Sequence, residues 1–342
     1  MIPDRPRRPT LSDVARLAGV SLGSASRVMS EPEAVRQRTR EAVEAAAEQL
    51  GYVPNGNARA LAMRRSMMVG VVLPTITNPV FASFVHVLQR RLGAEGYHLL
   101  VQAHEYDHQA EVALVERLIR RGIDGLVLVG TDHDPAVTAL LARSGLPHLF
   151  SWSSDEAPAQ DCVGFSNRQA MREMVQYLLD LGHRRFAILS GALAHNERAR
   201  ARVEGAREAL AAAGIVIAPD DIVIQPFSIE GGRQGLRVIA ARGERPTALV
   251  CTTDLMAAGA LAEAHALGIA VPDALSITGF DDIDIASAIS PPLTTIHAPI
   301  REMGERVGER MLVRLKGGAP DPSLTIPTHL VRRQSAGVVA KK

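Results

Sequence analysis

Cysteine is almost absent from this chain. Cys162 and Cys251 are the only two among 342 residues, which excludes a disulfide scaffold and a zinc finger built on cysteines. No apolar run approaches the roughly 20 residues that cross a bilayer. The basic residues at the start are not followed by the hydrophobic segment of a secretory signal. These absences predict a cytoplasmic protein with no membrane partner.

The motifs of enzyme chemistry are also missing. The sequence has no glycine-rich nucleotide-binding pattern, no zinc-ligand set and no nucleophile elbow. His104 and His108 stand four residues apart, as two metal ligands on a helix face would, but the residues between them favour a solvated helix start. No spacing selects a catalytic triad. We therefore expect no metal, no cofactor and no enzymatic activity.

The formal net charge of +1 conceals an uneven distribution. Residues 1–65 hold eleven basic and seven acidic side chains, a balance of +4, and the remainder holds 27 basic and 30 acidic side chains, a balance of −3. A basic head on a mildly acidic body indicates that the head contacts a polyanion. The alternative is a chance asymmetry without function.

The head begins with two short helices around a tight turn. Thr10 and Asp13 have the spacing of a capping box at the start of the first helix. Gly19 ends that helix, and Ser21 caps a second one. A third helix is predicted at about residues 37–50. Together they form a helix-turn-helix, which points to DNA; the alternative is a plain three-helix bundle.

The second helix carries small and polar side chains. Ser24 and Ser26 suit phosphate or base contacts, and Arg27 suits phosphate or the O6 and N7 atoms of guanine. A further helix start is predicted at Asn55, too short to be stable alone. Such a segment either orders on DNA, with Leu61 as a wedge in the minor groove, or is a simple linker.

An ordered set of motifs in the head closely resembles the LacI-type (LacI/GalR) family of bacterial transcription regulators. The matching strings are TLSDVARLAGVS at 10–21, SRVM at 26–29, TR at 39–40, LGYVPN at 50–55 and ARAL at 58–61. The resemblance implies a recognition helix at 21–27 and a hinge helix at 55–62 with Leu61 as the intercalating leucine. The residues expected to contact DNA are Thr10, Leu22, Gly23, Ser24, Ser26, Arg27, Asn55, Ala58, Arg59 and Leu61.

The recognition helix departs from the family in one respect. Leu22 and Gly23 stand where some members carry large polar side chains. Base readout is therefore expected to depend on Arg27 and on operator shape.

Behind the head, strand-like and helix-like segments alternate, which predicts parallel sheets covered on both faces. Strands are expected at 68–73, 98–101, 125–129, 148–150, 185–190, 222–224, 248–251 and 276–280, with helices at 80–93, 108–121, 168–181, 198–213, 230–241 and 254–267. This number of strands favours two doubly wound lobes facing a cleft. The fold class is thus an α/β body of two parallel-sheet lobes preceded by an all-α helix-turn-helix head.

The family resemblance continues through the body, in the strings at 181–187, 276–282 and 292–296 and in Arg202 with Gly205. It implies a body like a periplasmic sugar-binding protein, with chain crossings near 165, 291 and 323. The expected organisation is a head at 1–54, a hinge and linker at 55–66, and a body at 67–342, with lobe one at 67–165 and 292–322 and lobe two at 166–291 and 323–340.

Candidate effector ligands follow the predicted strands: Asn78, Phe81, Trp152, Arg200, Arg202, Phe227, Asp254 and Asp281. By resemblance Asp281 occupies the family's effector-binding aspartate position, and Arg200 or Arg202 its effector-binding arginine position. Aromatic rings suit a sugar face. As alternatives, Asp281 caps a turn and Phe81 belongs to the core. The polar neighbours of Trp152 predict that it lies outside the deep core.

The residues that precede the first helix of lobe two also bear on the effector. Many family members carry an acidic residue there, whereas this chain has Phe165, Ser166 and Asn167. This departure puts in doubt a ligand shared with any particular relative. Strand ends that faintly resemble sugar-acid responders, together with three arginine positions near the cleft, agree with an acidic ligand.

These features predict a homodimer that binds a pseudo-palindromic double-stranded operator and responds to a small-molecule effector, a sugar or sugar acid. The expected function is repression of a carbohydrate or sugar-acid utilisation operon. The alternative is a solute-binding protein of a transport system, against which the DNA-binding head argues. The sequence does not decide whether the protein activates or represses transcription, or whether the ligand releases or strengthens DNA binding. It also leaves open whether the protein is a dimer or a tetramer.

Overall fold

The computed structural model describes residues 9–30, 32–53, 65–155, 161–242 and 245–339. The chain separates into two compact units, a head that ends at Met67 and a body that begins at Met68. The predicted hinge residues Asn55, Ala58, Arg59 and Leu61 lie outside the described residues.

The head contains the three predicted helices, α1 (Leu11–Leu17), α2 (Leu22–Ser30) and α3 (Gln37–Leu50), with a 3-10 turn at Pro32–Ala34. The capping box is confirmed: the Thr10 hydroxyl accepts from Asp13 N, and the Asp13 carboxylate accepts from Thr10 N at 3.0 Å. Gly19 and Gly51 follow α1 and α3 with φ of +67° and +60°. Both glycines are needed because this backbone conformation is strained for other residues.

The core of the head is built from small and β-branched side chains. Its buried members are Val14, Ala15, Ala25, Val28, Val43 and Ala46. Only Ala25 and Val28 come from α2. That helix therefore contributes one narrow stripe to the core, with Met29 packed beside it.

Lobe one of the body is a six-stranded parallel sheet in the order β11-β5-β4-β3-β1-β2. Its strands are β1 (Met68–Leu73), β2 (His98–Ala103), β3 (Gly125–Val129), β4 (His148–Ser151), β5 (Cys162–Gly164) and β11 (Leu324–Thr325). Its helices are α4 (Pro79–Gly93), α5 (His108–Arg120), α6 (Pro135–Ser144) and α12 (Ile300–Leu315). The central strand β3 is buried along its whole length, as expected for a sheet covered on both faces.

Lobe two has a four-stranded parallel sheet in the order β7-β6-β8-β9. Its strands are β6 (Phe186–Ser190), β7 (Ile222–Ile224), β8 (Ala248–Cys251) and β9 (Ser276–Thr278), and its helices are α7 (Asn167–Asp180), α8 (Glu197–Ala212), α9 (Ile229–Ala240), α10 (Asp254–Ala266) and α11 (Ile285–Ala288). An antiparallel pair, β10 (Thr295–His297) and β12 (His329–Val331), continues it through bridges. A 3-10 turn lies at Pro219–Asp221.

The chain crosses between the lobes three times. The first crossing falls between Gly164 and Asn167. The second follows His297, which still bridges to Asp281 of lobe two, and the third follows Thr325, which pairs with β5 of lobe one. These two crossings therefore lie a few residues after the expected 291 and 323. No helix in the described ranges combines the length and apolar character that a membrane span requires.

Candidate functional site

One surface of the head is formed by α2. Leu22 is 52% exposed, Gly23 and Arg27 are exposed, and Ser24 and Ser26 are half-buried. Ser21 fixes the start of the helix, because its Oγ accepts a hydrogen bond from Ser24 N at 3.1 Å. The small side chains leave room for close approach of a groove wall.

Arg27 and Thr10 differ in how their polar groups are used. Arg27 forms no ion pair among the described residues, and its predicted contact with phosphate or guanine stays a prediction. The Thr10 hydroxyl donates to the Asp13 carboxylate at 2.7 Å and also caps α1. Thr10 is therefore first a helix cap, and its predicted DNA contact stays a prediction.

The candidate ligand site of the body lies where the carboxyl ends of strands from both lobes meet. In each sheet the first strand of the lobe has the second strand on one side and the third on the other, which creates the switch point where α/β proteins bind ligands. The cavity there has a volume of about 30 Å³, room for about two water molecules.

Six of the eight predicted effector residues line this cavity. They are Asn78, Phe81, Trp152, Arg202, Phe227 and Asp281. Asn78 is the N-cap of α4, and its Oδ1 accepts from Val80 N at 3.2 Å. The other five bring aromatic rings and one buried ion pair to the same space. Whether they contact an effector stays a prediction.

Arg202 is the most constrained of these side chains. It is 6% exposed. Its Nε donates to Asn167 Oδ1 at 2.9 Å and its Nη1 to the Thr252 carbonyl at 2.6 Å, while Nη2 lies 3.4 Å from Asp281 Oδ1. The guanidinium also lies 3.6 Å from the centroid of the Phe280 ring. These contacts fix the direction in which its charge faces the cavity.

Asp281 is held in a strained turn with φ of +115°. Burial raises its pKa to about 6, although the neighbouring Arg202 guanidinium acts in the opposite direction. Burial lowers the pKa of Arg202, again opposed by its partner. The two groups therefore form a buried pair whose charges are costly unless both are present.

Asp254 and Arg200 are not among the residues that line the cavity. Asp254 is fully buried, and its carboxylate accepts from the Thr295 hydroxyl at 2.6 Å and from Ile283 N at 2.9 Å. Burial raises its pKa well above the ordinary value. Arg200 instead pairs with Asp132 of lobe one at 2.5 Å. The structure gives Asp254 a supporting role beneath the turn of Asp281, and gives Arg200 a contact between the lobes.

The expectation that Trp152 lies outside the deep core is wrong. It is 1% exposed and packs with its ring centroid 4.7 Å from that of Phe81 and 5.0 Å from that of Phe84. Its polar neighbours Ser151 and Ser153 are themselves fully buried. Trp152 is thus part of the core and of the cavity wall together, and Phe81 combines the same two positions.

Seven lining residues were missed by sequence reasoning: Val80, Tyr106, Asn196, Arg198, Ala199, Thr252 and Thr253. Tyr106, Thr252 and Thr253 directly follow or lie close behind the ends of β2 and β8, so the strand-end rule that selected Asn78 would have found them. Tyr106 stacks on Phe227 across the lobes, with ring centroids 5.8 Å apart, and burial raises its pKa. Arg198 is buried beside Glu197, with the closest N–O distance at 3.0 Å.

The fold and the two surfaces define a class of protein: a DNA-binding regulator whose helix-turn-helix head is joined to a two-lobed body like a solute-binding protein. Comparison with known families agrees. The pattern for "Bacterial regulatory proteins, lacI family" matches residues 10–55, and the pattern for "Periplasmic binding protein-like domain" matches residues 175–336.

Relatives extend this match over most of the chain. The HTH-type transcriptional repressor PurR of Photobacterium profundum is 33% identical over 310 residues, covering 90% of this chain and 92% of the relative. The HTH-type transcriptional regulator GntR of Escherichia coli (strain K12) is 33% identical over 321 residues, covering 93% and 95%. The chain belongs to the LacI family of bacterial transcription regulators.

Solved structures support the same assignment. The lac repressor dimer bound to operator and the anti-inducer ONPF has a TM-score of 0.86 at 30% identity, covering 98% of this chain and all of that one. A LacI family regulator from Silicibacter pomeroyi has a TM-score of 0.88 at 29% identity, covering 96% and 99%. The predicted fold class and the DNA-binding regulatory function are confirmed, and the solute-binding alternative is not favoured.

Proposed function

We propose that this protein is a cytoplasmic repressor that binds a pseudo-palindromic operator as a homodimer and changes its affinity for DNA when a sugar or sugar acid enters the body. It performs no catalysis. The observation that carries the proposal is the cavity at the meeting strand ends of the two lobes, with aromatic walls and a fixed arginine.

The chemistry of the cavity fits a polyhydroxylated ligand. Trp152 and Phe81 offer rings for the apolar face of a sugar. Asn196 and Asp281 offer hydrogen-bonding groups for hydroxyls, and Arg198 offers donors for a hydroxyl or a carboxylate. The cavity is small, so ligand entry requires lobe movement, and lobe movement is the change that would reach the head.

The proposal is tested by thermal unfolding of the full chain with panels of neutral sugars and sugar acids, followed by emission of Trp152, the only tryptophan. A ligand at about 100 times its Kd should add roughly 2.7 kcal/mol to the free energy of unfolding. We expect a hit that also shifts Trp152 emission and changes operator retention in a gel shift. A hit that leaves operator binding unchanged would contradict the proposal.

Two arginines of α8 provide a matched pair of variants. Arg198 lines the cavity, whereas Arg207 is 53% exposed by side chain and pairs with Glu204 on the surface. Arg198→Met should abolish the response to the ligand, and Arg207→Met should preserve it. Equal responses in both variants would contradict a role for Arg198 in the site.

A further inference from the structure

Three contacts from the first turn of α8 in lobe two converge on residues 129–132, which end β3 and follow it in lobe one. They are a hydrogen bond from Thr131 N to Glu197 Oε1 at 3.0 Å, a hydrogen bond from Arg198 Nη1 to the Val129 carbonyl at 3.4 Å, and the ion pair of Arg200 with Asp132 at 2.5 Å. We call residues 129–132 the closing segment. At this segment the two lobes are in contact.

Gly130 sits at the centre of the closing segment with φ of +97°. A Cβ at this position would lie 2.2 Å from Arg198 Nη1 and 2.6 Å from Glu197 Oε1. The segment therefore needs a glycine both for its backbone conformation and for the close approach of α8. The direction of the Gly130 carbonyl is part of that conformation.

The Gly130 carbonyl is held by His133. The Nε2 atom of His133 lies 3.1 Å from this carbonyl oxygen, and its Nδ1 atom lies 2.8 Å from Glu111 Oε1. The side chains of His133 and Glu111 are 4% and 2% exposed. A carbonyl only accepts, and an ionised carboxylate only accepts. Both hydrogen bonds therefore exist together only when the pair holds two protons, as imidazolium with carboxylate or as imidazole with carboxylic acid.

Loss of one proton changes this pair in two ways. It leaves a buried net negative charge, and it leaves one ring nitrogen facing an acceptor without a hydrogen between them. The titratable and charged groups around the pair are His104 after β2, His108 in α5, Asp132 and Asp134 beside His133, and Glu197, Arg198 and Arg200 from α8. Burial lowers the pKa of His104, and the charge of Glu111 acts in the opposite direction.

We propose that His133 and Glu111 are positioning residues that support closure of the lobes by holding the Gly130 carbonyl. With both hydrogen bonds in place, the closing segment receives α8. Without them the segment is released and open lobes are favoured. This inference depends on the proposed function, since closure is the step that an effector would control.

Two substitutions test the hydrogen bonds of His133 with Glu111 and with the Gly130 carbonyl. In Glu111→Gln the amide nitrogen donates to His133 Nδ1 while His133 Nε2–H donates to the Gly130 carbonyl, so both bonds persist with a neutral ring. In His133→Leu both bonds are lost. Glu116→Gln is the control on the same helix, because Glu116 is 46% exposed by side chain and pairs only with Arg120 among the described residues.

The experiment measures acrylamide quenching of Trp152 in the full chain. We expect quenching to be low in the wild type, in Glu116→Gln and in Glu111→Gln, which keeps both hydrogen bonds, and to be higher in His133→Leu, which loses them. Quenching in His133→Leu equal to that of the wild type, or quenching in Glu111→Gln as high as in His133→Leu, would overturn the proposal.

Nitrogen-15 spectra of histidine-labelled full chain give an independent readout. They should show a proton on His133 Nε2 in the wild type and in Glu111→Gln, since that nitrogen faces the Gly130 carbonyl oxygen. A ring without a proton on Nε2 would overturn the proposal as well. Operator binding and its response to ligand are measured separately, so failure here leaves the regulator function standing.

Discussion

Removing Arg202 should reveal how much the body depends on the buried ion pair of the cavity. In Arg202→Met the guanidinium disappears, and Asp281, which is 5% exposed, loses its cationic partner. Breaking a buried pair in this way costs about 3–5 kcal/mol. For a domain of this size that corresponds to a fall in Tm of roughly 10 °C.

The assay is thermal unfolding of the full chain followed by Trp152, which lies in the body. Arg200→Met is the matched control, because Arg200 is two residues away on the same helix and is 41% exposed by side chain. Its loss should cost no more than about 1 kcal/mol. Adding Asp281→Asn to Arg202→Met should recover much of the stability, since no unpaired charge then remains. A Tm for Arg202→Met within error of the wild type, or a double variant no better than it, would refute this reasoning.

Three other outcomes are expected. Asp281→Asn should remove a pH dependence of stability, because the pKa of Asp281 is raised from the ordinary 3.8 to about 6 and the folded state binds this proton more tightly. In urea unfolding, the free energy of unfolding of the wild type should fall by up to about 3 kcal/mol as pH rises from about 4 to 6. Equal pH slopes in the wild type and the variant would contradict this. Gly259→Ala should lower the free energy of unfolding by about 1–3 kcal/mol or more, because its Cβ would clash with the Ile229 carbonyl oxygen. Gly93→Ala should not destabilise the fold, because the space around Gly93 is open. Equal Tm values for the two variants would contradict the packing argument. Thr10→Ala should weaken the head by about 0.5–2 kcal/mol, followed by circular dichroism of the helices; an unchanged head transition would contradict the cap.

Much of the fold follows from local patterns. The head helices were predictable because Thr10, Gly19 and Gly51 mark their ends by capping and by positive φ. The long body strands and the helices between them were predictable from apolar runs that alternate with helical spacing. Helix α12 was not predicted, although Ile300, Met303, Val307 and Met311 have helical spacing and are buried. Helix α6 and the short strands β5 and β10–β12 were not predicted either.

The residues of the candidate site were predictable only where their position after a strand end places them at the cavity. That rule selected Phe81, Arg202 and Asp281, which line the cavity. The rule could not show that Asp254 differs from these residues, because its side chain turns beneath the sheet edge and accepts a hydrogen bond from Ile283 N. The prediction that Trp152 lies outside the core was wrong because its serine neighbours are buried by tertiary packing, which the local sequence does not show. The pairing of Glu111 with His133 joins residues 22 apart in the sequence through tertiary packing, so no spacing rule predicts it.

Operator recognition by α2 is tested by selection of DNA from a random duplex pool with the full chain, in parallel with Arg27→Ala. We expect that the wild type enriches a two-fold symmetric sequence, that Arg27→Ala does not, and that both proteins unfold at the same temperature by Trp152 emission. Enrichment of the same sequence by both proteins, or no enrichment by the wild type, would contradict it.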